Sequence, residues 1–80
     1  MIHSTAIMGT GVRLGRDVRI GAGAVIDGNV EVLDGAVIQE HVVIRGTVRL
    51  GRRCLVGPFG YIEGQLAVGD GTVLDSHFRL

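Results

Sequence analysis

The feature that most constrains the fold is an aliphatic residue or methionine at every sixth position along the whole chain. The column consists of Ile2, Met8, Leu14, Ile20, Ile26, Val32, Ile38, Ile44, Leu50, Val56, Ile62, Val68, Leu74 and Leu80. An amphipathic α-helix requires a spacing near 3.6 residues. The unbroken period of six therefore excludes a helix and indicates a repeated short unit.

A second column lies two residues before the first and is mostly small or β-branched. It consists of Ala6, Val12, Val18, Ala24, Val30, Ala36, Val42, Val48, Cys54, Gly60, Leu66, Thr72 and Phe78. Because side chains alternate along a strand, each unit is predicted to be a short strand with inward, outward and inward residues. A three-residue corner rich in Gly, Asp and Asn follows each strand.

Three such units close a triangular coil of eighteen residues, so the 80 residues make about 4.4 coils. Successive coils are expected to stack at the distance between neighbouring strands of a sheet. The sequence predicts an all-β fold, a single-stranded parallel β-helix forming one domain over residues 1–80. Residues eighteen apart also carry alternating charges, and opposite charges attract across neighbouring strands. These ladders are Arg16–Asp34–Arg52–Asp70 (the arginine–aspartate corner), Arg13–Glu31–Arg49, and Asp27–Arg45–Glu63. A further column, the glycine corner, consists of Thr10, Gly28, Gly46 and Gly64.

The outward residues distinguish three faces. A charged face carries Arg13, Glu31, Arg49 and Ala67. A first apolar face carries Ile7, Val25, Val43, Tyr61 and Arg79, and a second apolar face carries Met1, Arg19, Val37, Leu55 and Val73. Proteins rarely leave such apolar stripes uncovered, so we expect these two faces to contact other chains.

The corner between the two apolar faces, here called the His/Phe edge, consists of Thr5, Gly23, His41, Phe59 and His77. We expect His41, Phe59, His77 and the nearby Tyr61 to lie at the interface of a homotrimer. Short solenoids gain stability from partners, which favours association. Phe59 and Tyr61 could alternatively line a groove for an acyl chain.

Charge and composition exclude several classes of partner. The formal net charge is zero, which argues against nucleic acid as the main partner. Arg13, Arg16 and Asp17 interrupt the first twenty residues, so neither a signal peptide nor a membrane span is predicted there. A cytoplasmic location is therefore expected. The single cysteine, Cys54, falls in the inward column and is predicted to be a buried thiol.

Units such as Leu14–Val18 and Leu50–Cys54, an aliphatic residue followed by glycine and then a small residue, resemble those of the hexapeptide-repeat acyltransferases. The runs 2–7, 35–46, 49–52 and 59–62 are similar to the early coils of the members that acylate a nucleotide sugar in lipid A biosynthesis. The resemblance implies a left-handed β-helix and a homotrimer. It also implies O-acyl transfer from an acyl carrier protein thioester to a nucleotide sugar.

The chain departs from that family after residue 63. Residues 64–80 continue the repeat, whereas the family has an excursion there, a catalytic histidine in later coils and a helical tail. The catalytic segment is thus not found in these residues, and whether the chain is an enzyme stays open. We expect a fragment, a shortened relative or an engineered scaffold. The alternative function is a non-catalytic trimeric structural or assembly scaffold.

The histidines are the candidate catalytic residues. In the family a histidine at a subunit cleft is a general base, a role that suits an imidazole, so His77 and His41 are the candidates here. His77 is favoured because it lies further toward the family's catalytic coils. The two histidines are two coils apart, too far to share a metal within one chain. We expect no metal and no cofactor.

Overall fold

The computed structural model describes residues 1–80 and contains nine short strands and no helix. They are β1 (Ile7–Met8), β2 (Val12–Leu14), β3 (Arg19–Ile20), β4 (Val25–Val32), β5 (Val37–Ile38), β6 (Val43–Leu50), β7 (Leu55–Val56), β8 (Tyr61–Val68) and β9 (Val73–Leu74). Every pairing is parallel and joins residues eighteen apart, as in Val25 with Val43 and Val43 with Tyr61. The predicted parallel solenoid of about four eighteen-residue turns is therefore confirmed.

The three walls of the solenoid are not equivalent. One sheet contains β1, β2, β4, β6 and β8, and it bends around the glycine corner to form both the first apolar face and the charged face. The other sheet, β3–β5–β7–β9, forms the second apolar face from strands of two residues each. The glycine corner permits this continuity because Gly28 and Gly46 have φ of 99° and 106°. A Cβ on either residue would also collide with backbone of the coil that follows.

The core consists of the two inward columns. Ile26, Ile44 and Ile62 are completely buried, and no polar or charged residue is buried beside them. The outermost members of the aliphatic column depart from the prediction, since Ile2 is 45% exposed and Leu80 is 49% exposed. Each belongs to a terminal coil, where no further coil covers it on one side.

The inward column ends in an aromatic side chain. Phe78 lies one coil beyond Gly60, and its ring occupies the space that a Cβ on Gly60 would take. Phe78 is half-buried and packs against the core. Gly60 thus accommodates a ring in a column that otherwise holds small and β-branched residues.

The charge ladders have the predicted register, but they form fewer ion pairs than alternating charge suggests. The one ion pair joins Arg49 Nε to Glu31 Oε1 at 3.4 Å. In the arginine–aspartate corner the carboxylates instead accept backbone hydrogen bonds. Asp34 Oδ1 lies 2.8 Å from the N–H of Arg16. A short carboxylate directly above a corner reaches the backbone, which leaves the arginine head group in solvent.

No helix in the structure is long and apolar enough to cross a membrane.

Candidate functional site

The His/Phe edge is a corner built from residues in the left-handed region of backbone conformation. His41, Phe59 and His77 have φ of 57°, 61° and 59°, and Gly23 in the same column has φ of 70°. The corner remains part of the hydrogen-bonded solenoid. The N–H groups of His41, Phe59 and His77 each donate to a carbonyl of the preceding coil at 3.0 Å.

The three side chains form one continuous stack. The His41 and Phe59 ring centroids are 5.2 Å apart with 15° between the ring planes. Phe59 and His77 are 5.0 Å apart at 17°. These separations match the spacing of successive coils, because each coil contributes one ring at the same corner. Both faces of the Phe59 ring are thus occupied by imidazoles.

The N-terminal end of this edge is closed by smaller residues. The His41 ring lies where a Cβ on Gly23 would project, so a larger residue at position 23 would require this ring to move. The N–H of Gly23 donates to Thr5 Oγ1 at 2.9 Å. His3 Nδ1 is in turn 2.9 Å from Thr5 Oγ1. The third histidine therefore lies at the end of the edge and outside the aromatic stack.

Placing rings at this corner has a conformational cost. Left-handed backbone costs a non-glycine L-residue about 1–2 kcal/mol, and glycine, as at Gly23, would largely avoid that cost. Offset or stacked aromatic pairs return about 0.5–1.5 kcal/mol each. Asp17 and Arg53, beside the arginine–aspartate corner, have the same left-handed conformation, so the backbone alone does not distinguish this edge. The stacked rings and the exposed apolar residues beside them make it the candidate functional surface.

Tyr61, the fourth predicted interface residue, contacts different partners. Its hydroxyl donates to Glu63 Oε1 at 3.1 Å, and the Arg79 guanidinium carbon lies 4.9 Å from its ring centroid. Tyr61 is half-buried on the first apolar face and is not part of the aromatic stack. The eighteen-residue separation places Tyr61 and Arg79 side by side on this face, whereas the position of the guanidinium over the ring was not predicted.

The apolar faces on either side of the edge are accessible. Ile7 on the first apolar face is 63% exposed, Val73 on the second is 61% exposed, and Phe59 between them is 53% exposed. The other aliphatic residues of the two stripes, Val25, Val43, Val37 and Leu55, are half-buried. Exposed or half-buried apolar side chains thus lie on both sides of the aromatic stack.

The two stacked imidazoles have no polar partner within the chain. No side-chain hydrogen bond or ion pair involves His41 or His77, so no carboxylate orients either ring. A histidine that acts as a general base is usually held by such a group. No cluster of three or more His, Cys, Asp or Glu side chains is arranged to bind a metal ion. Neither imidazole is therefore oriented by a polar side chain of its own chain.

Two other features lie apart from the edge. Cys54 is fully buried, and burial raises the pKa of its thiol, which disfavours the nucleophilic thiolate. An open groove of about 670 Å³ lies at the N-terminal end of the second apolar face, where it is lined by Met1, Arg19, Val37 and Glu40 among others. None of His41, Phe59, His77 or Tyr61 lines this groove.

Solved structures share this fold. A perosamine N-acetyltransferase from Caulobacter crescentus, in complex with CoA and GDP-perosamine, is 20% identical and superposes with a TM-score of 0.58 over 99% of this chain and 46% of its own. A UDP-N-acetylglucosamine acyltransferase from Campylobacter jejuni is 20% identical, with a TM-score of 0.53 over 100% of this chain and 45% of its own. The chain spans less than half the length of either structure. No curated protein sequence matches it.

Both structures are left-handed β-helices, and because the chain superposes on them, the present solenoid is left-handed as well. Residues 11–46 match the family described as bacterial transferase hexapeptide (six repeats). The matched segment includes His41 and ends at Gly46 in the glycine corner. The period of six and the left-handed parallel β-helix of this chain are those of hexapeptide-repeat proteins, and the family match itself covers 36 of the 80 residues.

Proposed function

We propose that this chain is the β-helical body of a homotrimeric acyltransferase that acts on a nucleotide sugar, and that the His/Phe edge is where its subunits associate. The observation that carries the proposal is the His41–Phe59–His77 stack between two exposed apolar stripes. The nucleotide-sugar acyltransferases with the same fold support the reaction class. Hexapeptide-repeat acyltransferases are commonly trimeric, which supports the assembly.

The composition of the edge favours a second copy of this chain as its partner. The outward residues along the middle of both apolar faces are uncharged, and Arg19 and Arg79 lie toward opposite ends. Two copies can therefore meet along the edge without burying an unpaired charge, which would oppose association strongly. Covering exposed apolar area at about 25 cal/mol per Å² provides the driving force.

The proposed chemistry is transfer of an acyl group from a carrier-protein thioester to a sugar hydroxyl. A base removes the hydroxyl proton, the oxygen attacks the thioester carbonyl, and the carbon–sulfur bond breaks to release the thiol. His77 and His41 are the candidate bases, because an edge at a subunit interface borders the cleft between chains. Because the middle of both apolar faces is uncharged, a partner subunit would have to supply a neutral hydrogen-bond acceptor to orient either imidazole.

The association step is tested by the mass of the protein in solution at micromolar concentration. The wild type is expected to have the mass of a trimer by multi-angle light scattering. Phe59→Asn removes the apolar ring and keeps a residue that tolerates positive φ, so it is expected to shift the mass toward the monomer. Ala67→Asn on the charged face is the matched control and should remain trimeric. A wild-type monomer would contradict the proposal.

The chemical step is tested by transfer assays with acyl carrier protein thioesters and acyl-CoA as donors and with UDP- and GDP-linked sugars as acceptors. His77→Asn and His41→Asn are compared with the wild type at matched oligomeric state. Loss of turnover of about 10²-fold or more, with the trimer intact, would identify the base. Equal activity in both variants would remove these histidines from the mechanism.

A second function, a non-catalytic assembly scaffold, is favoured by one observation. Neither imidazole has an orienting hydrogen bond, and each instead packs against Phe59. Such an arrangement suits a structural contact as well as a reactive one. A wild-type trimer that transfers no acyl group from any of these donors would select the scaffold over the enzyme.

A further inference from the structure

We propose that association through the His/Phe edge is controlled by pH, with subunits assembling when His41 and His77 are neutral and separating when they are protonated. The inference rests on the proposed use of this edge for association. It concerns regulation of the interface and is independent of whether either histidine takes part in acyl transfer.

Association along the edge would remove the His41 and His77 imidazoles from water. Both imidazoles are exposed in the single chain, where water solvates them in either protonation state. They stack on the two faces of Phe59, so a subunit that covers this ring also covers its neighbours. An imidazolium removed from water without a compensating partner is strongly disfavoured. Coverage of the edge therefore favours the neutral form.

The second argument is the absence of a counter-ion on the surrounding elements. The ionisable groups on the segments that flank this corner are Glu40, Asp75, Arg79, Tyr61, His3 and Arg19. None of them forms a hydrogen bond or ion pair with either stacked imidazole. The central outward residues of the flanking strands, Val37, Leu55 and Val43, are aliphatic. A positive charge at the covered edge would thus remain uncompensated.

Two further effects act on the protonated imidazoles: a cation–π attraction stabilises the charge, and repulsion between like charges opposes it. A cation above a phenyl ring gains a modest cation–π attraction, which favours protonation while the edge is free. In a trimer, however, the three edges bring six imidazoles into one assembly, where like charges repel. Since the cation–π contact is already available to the free chain, it does not reward association. The net effect of protonation is to weaken assembly.

The sign and size of the pH dependence follow from linkage. If each of the two imidazoles must lose a proton to be covered, association releases protons, and acidification opposes it. In the acidic range where free histidine is protonated, each such group weakens association by about tenfold per pH unit. We expect association to be strong at pH 8 and at least about tenfold weaker at pH 5.5.

Sedimentation velocity at pH 8, 7, 6 and 5.5 tests the inference, with circular dichroism to confirm that the β-helix persists. The wild type is expected to change from trimer to monomer as the pH falls. The double variant His41→Asn/His77→Asn retains residues suited to positive φ but cannot titrate, and it should sediment identically across the range. His3→Asn, outside the stack, should behave as the wild type.

The outcomes separate the two proposals. A wild type that remains trimeric at pH 5.5 overturns the pH control and leaves association intact. A wild type that is monomeric at every pH overturns the association itself. If the double variant does not assemble, titration calorimetry of wild-type dissociation in two buffers decides the question. Uptake of one to two protons per subunit on acid dissociation supports the inference, and no uptake overturns it.

Discussion

Gly60 and Phe78 are predicted to be energetically coupled, to the extent that Gly60→Ala changes sign with the residue at position 78. In the wild type the new Cβ of Gly60→Ala would meet the Phe78 ring. The backbone at Gly60 has no positive φ, so alanine is not strained there. The three atoms nearest to the new Cβ all belong to the Phe78 ring, one coil away.

The size of the effect follows from the burial of Phe78. Fully burying a Phe side chain stabilises a protein by about 1.5–3 kcal/mol, and Phe78 is half-buried. Expelling its ring should therefore cost about 1 kcal/mol or somewhat more. Alanine at an unstrained glycine position returns about 0.4–1 kcal/mol by restricting the unfolded chain. In the Phe78→Ala background only this gain remains, so Gly60→Ala becomes stabilising.

The measurement is a double-mutant cycle in which the free energy of unfolding is obtained from urea denaturation. The expected coupling energy is about 1–2 kcal/mol, or about 4–16 °C in Tm for a domain of this size. Gly69→Ala is the control, because its Cβ would have only an ordinary contact with Thr72 at 3.7 Å, and it should behave alike in both backgrounds. If Gly60→Ala destabilises both backgrounds equally, the ring does not occupy this space.

Two further predictions concern other glycines and the buried thiol. Gly64→Ala should lower the free energy of unfolding by about 1–3 kcal/mol through backbone strain alone. Gly46→Ala has a similar φ but its Cβ also collides with Gly64, so it should lose about 1–3 kcal/mol more. Thermal denaturation of the two variants measures the difference. Equal losses would refute the steric argument. Cys54 should resist a thiol reagent until the chain unfolds. Because burial raises the pKa of its thiol above 9.0, the thiol contributes to the free energy of unfolding below pH 9, and this contribution should be lost as the pH rises further. Rapid labelling of the native protein would contradict its burial.

The coil itself was predictable because two physical constraints coincide in the sequence. Residues such as Ile26 and Ile44 must lie inward at a period of six, and strand pairing makes residues eighteen apart neighbours. Every ladder pairing in the structure has the register that this arithmetic gives. Where one coil covers another, the period of six is sufficient to predict which side chains are buried. At the ends it is not, which is why Ile2 and Leu80 are exposed.

The side-chain partners were less predictable. Charge alternation between Asp34 and Arg16 suggested an attraction between head groups, but the carboxylate bonds the Arg16 backbone instead. The aspartate side chain is short, and an unpaired corner N–H lies within its reach. The stack of His41 on Phe59 follows from the eighteen-residue spacing, whereas its positive φ does not, because no single residue type at that corner reveals the backbone conformation.

The sequence pattern predicts which residues share the His/Phe edge, but it does not predict what would complete a site there. The position of Phe59 between two histidines was predictable, and its geometry gives both rings the same neighbour. What orients an imidazole for catalysis is a second polar group, and the period of six carries no information about groups contributed by another chain. The repeat therefore predicts which residues lie along one edge of the solenoid, but it does not predict which reaction they take part in.

The unequal walls of the solenoid determine where the chain can accept additional segments. A loop inserted at the glycine corner would sever strands such as β6 (Val43–Leu50) in the middle of their hydrogen-bonded ladder. A loop inserted at either corner that borders the second apolar face would fall between strands and would break only corner hydrogen bonds, such as that from the His41 N–H to the Ala22 carbonyl. Two of the three corners are thus available for elaboration, and one of them is the His/Phe edge. Evolution or an engineer could add a binding loop beside the aromatic stack while leaving the bent sheet that supports it intact.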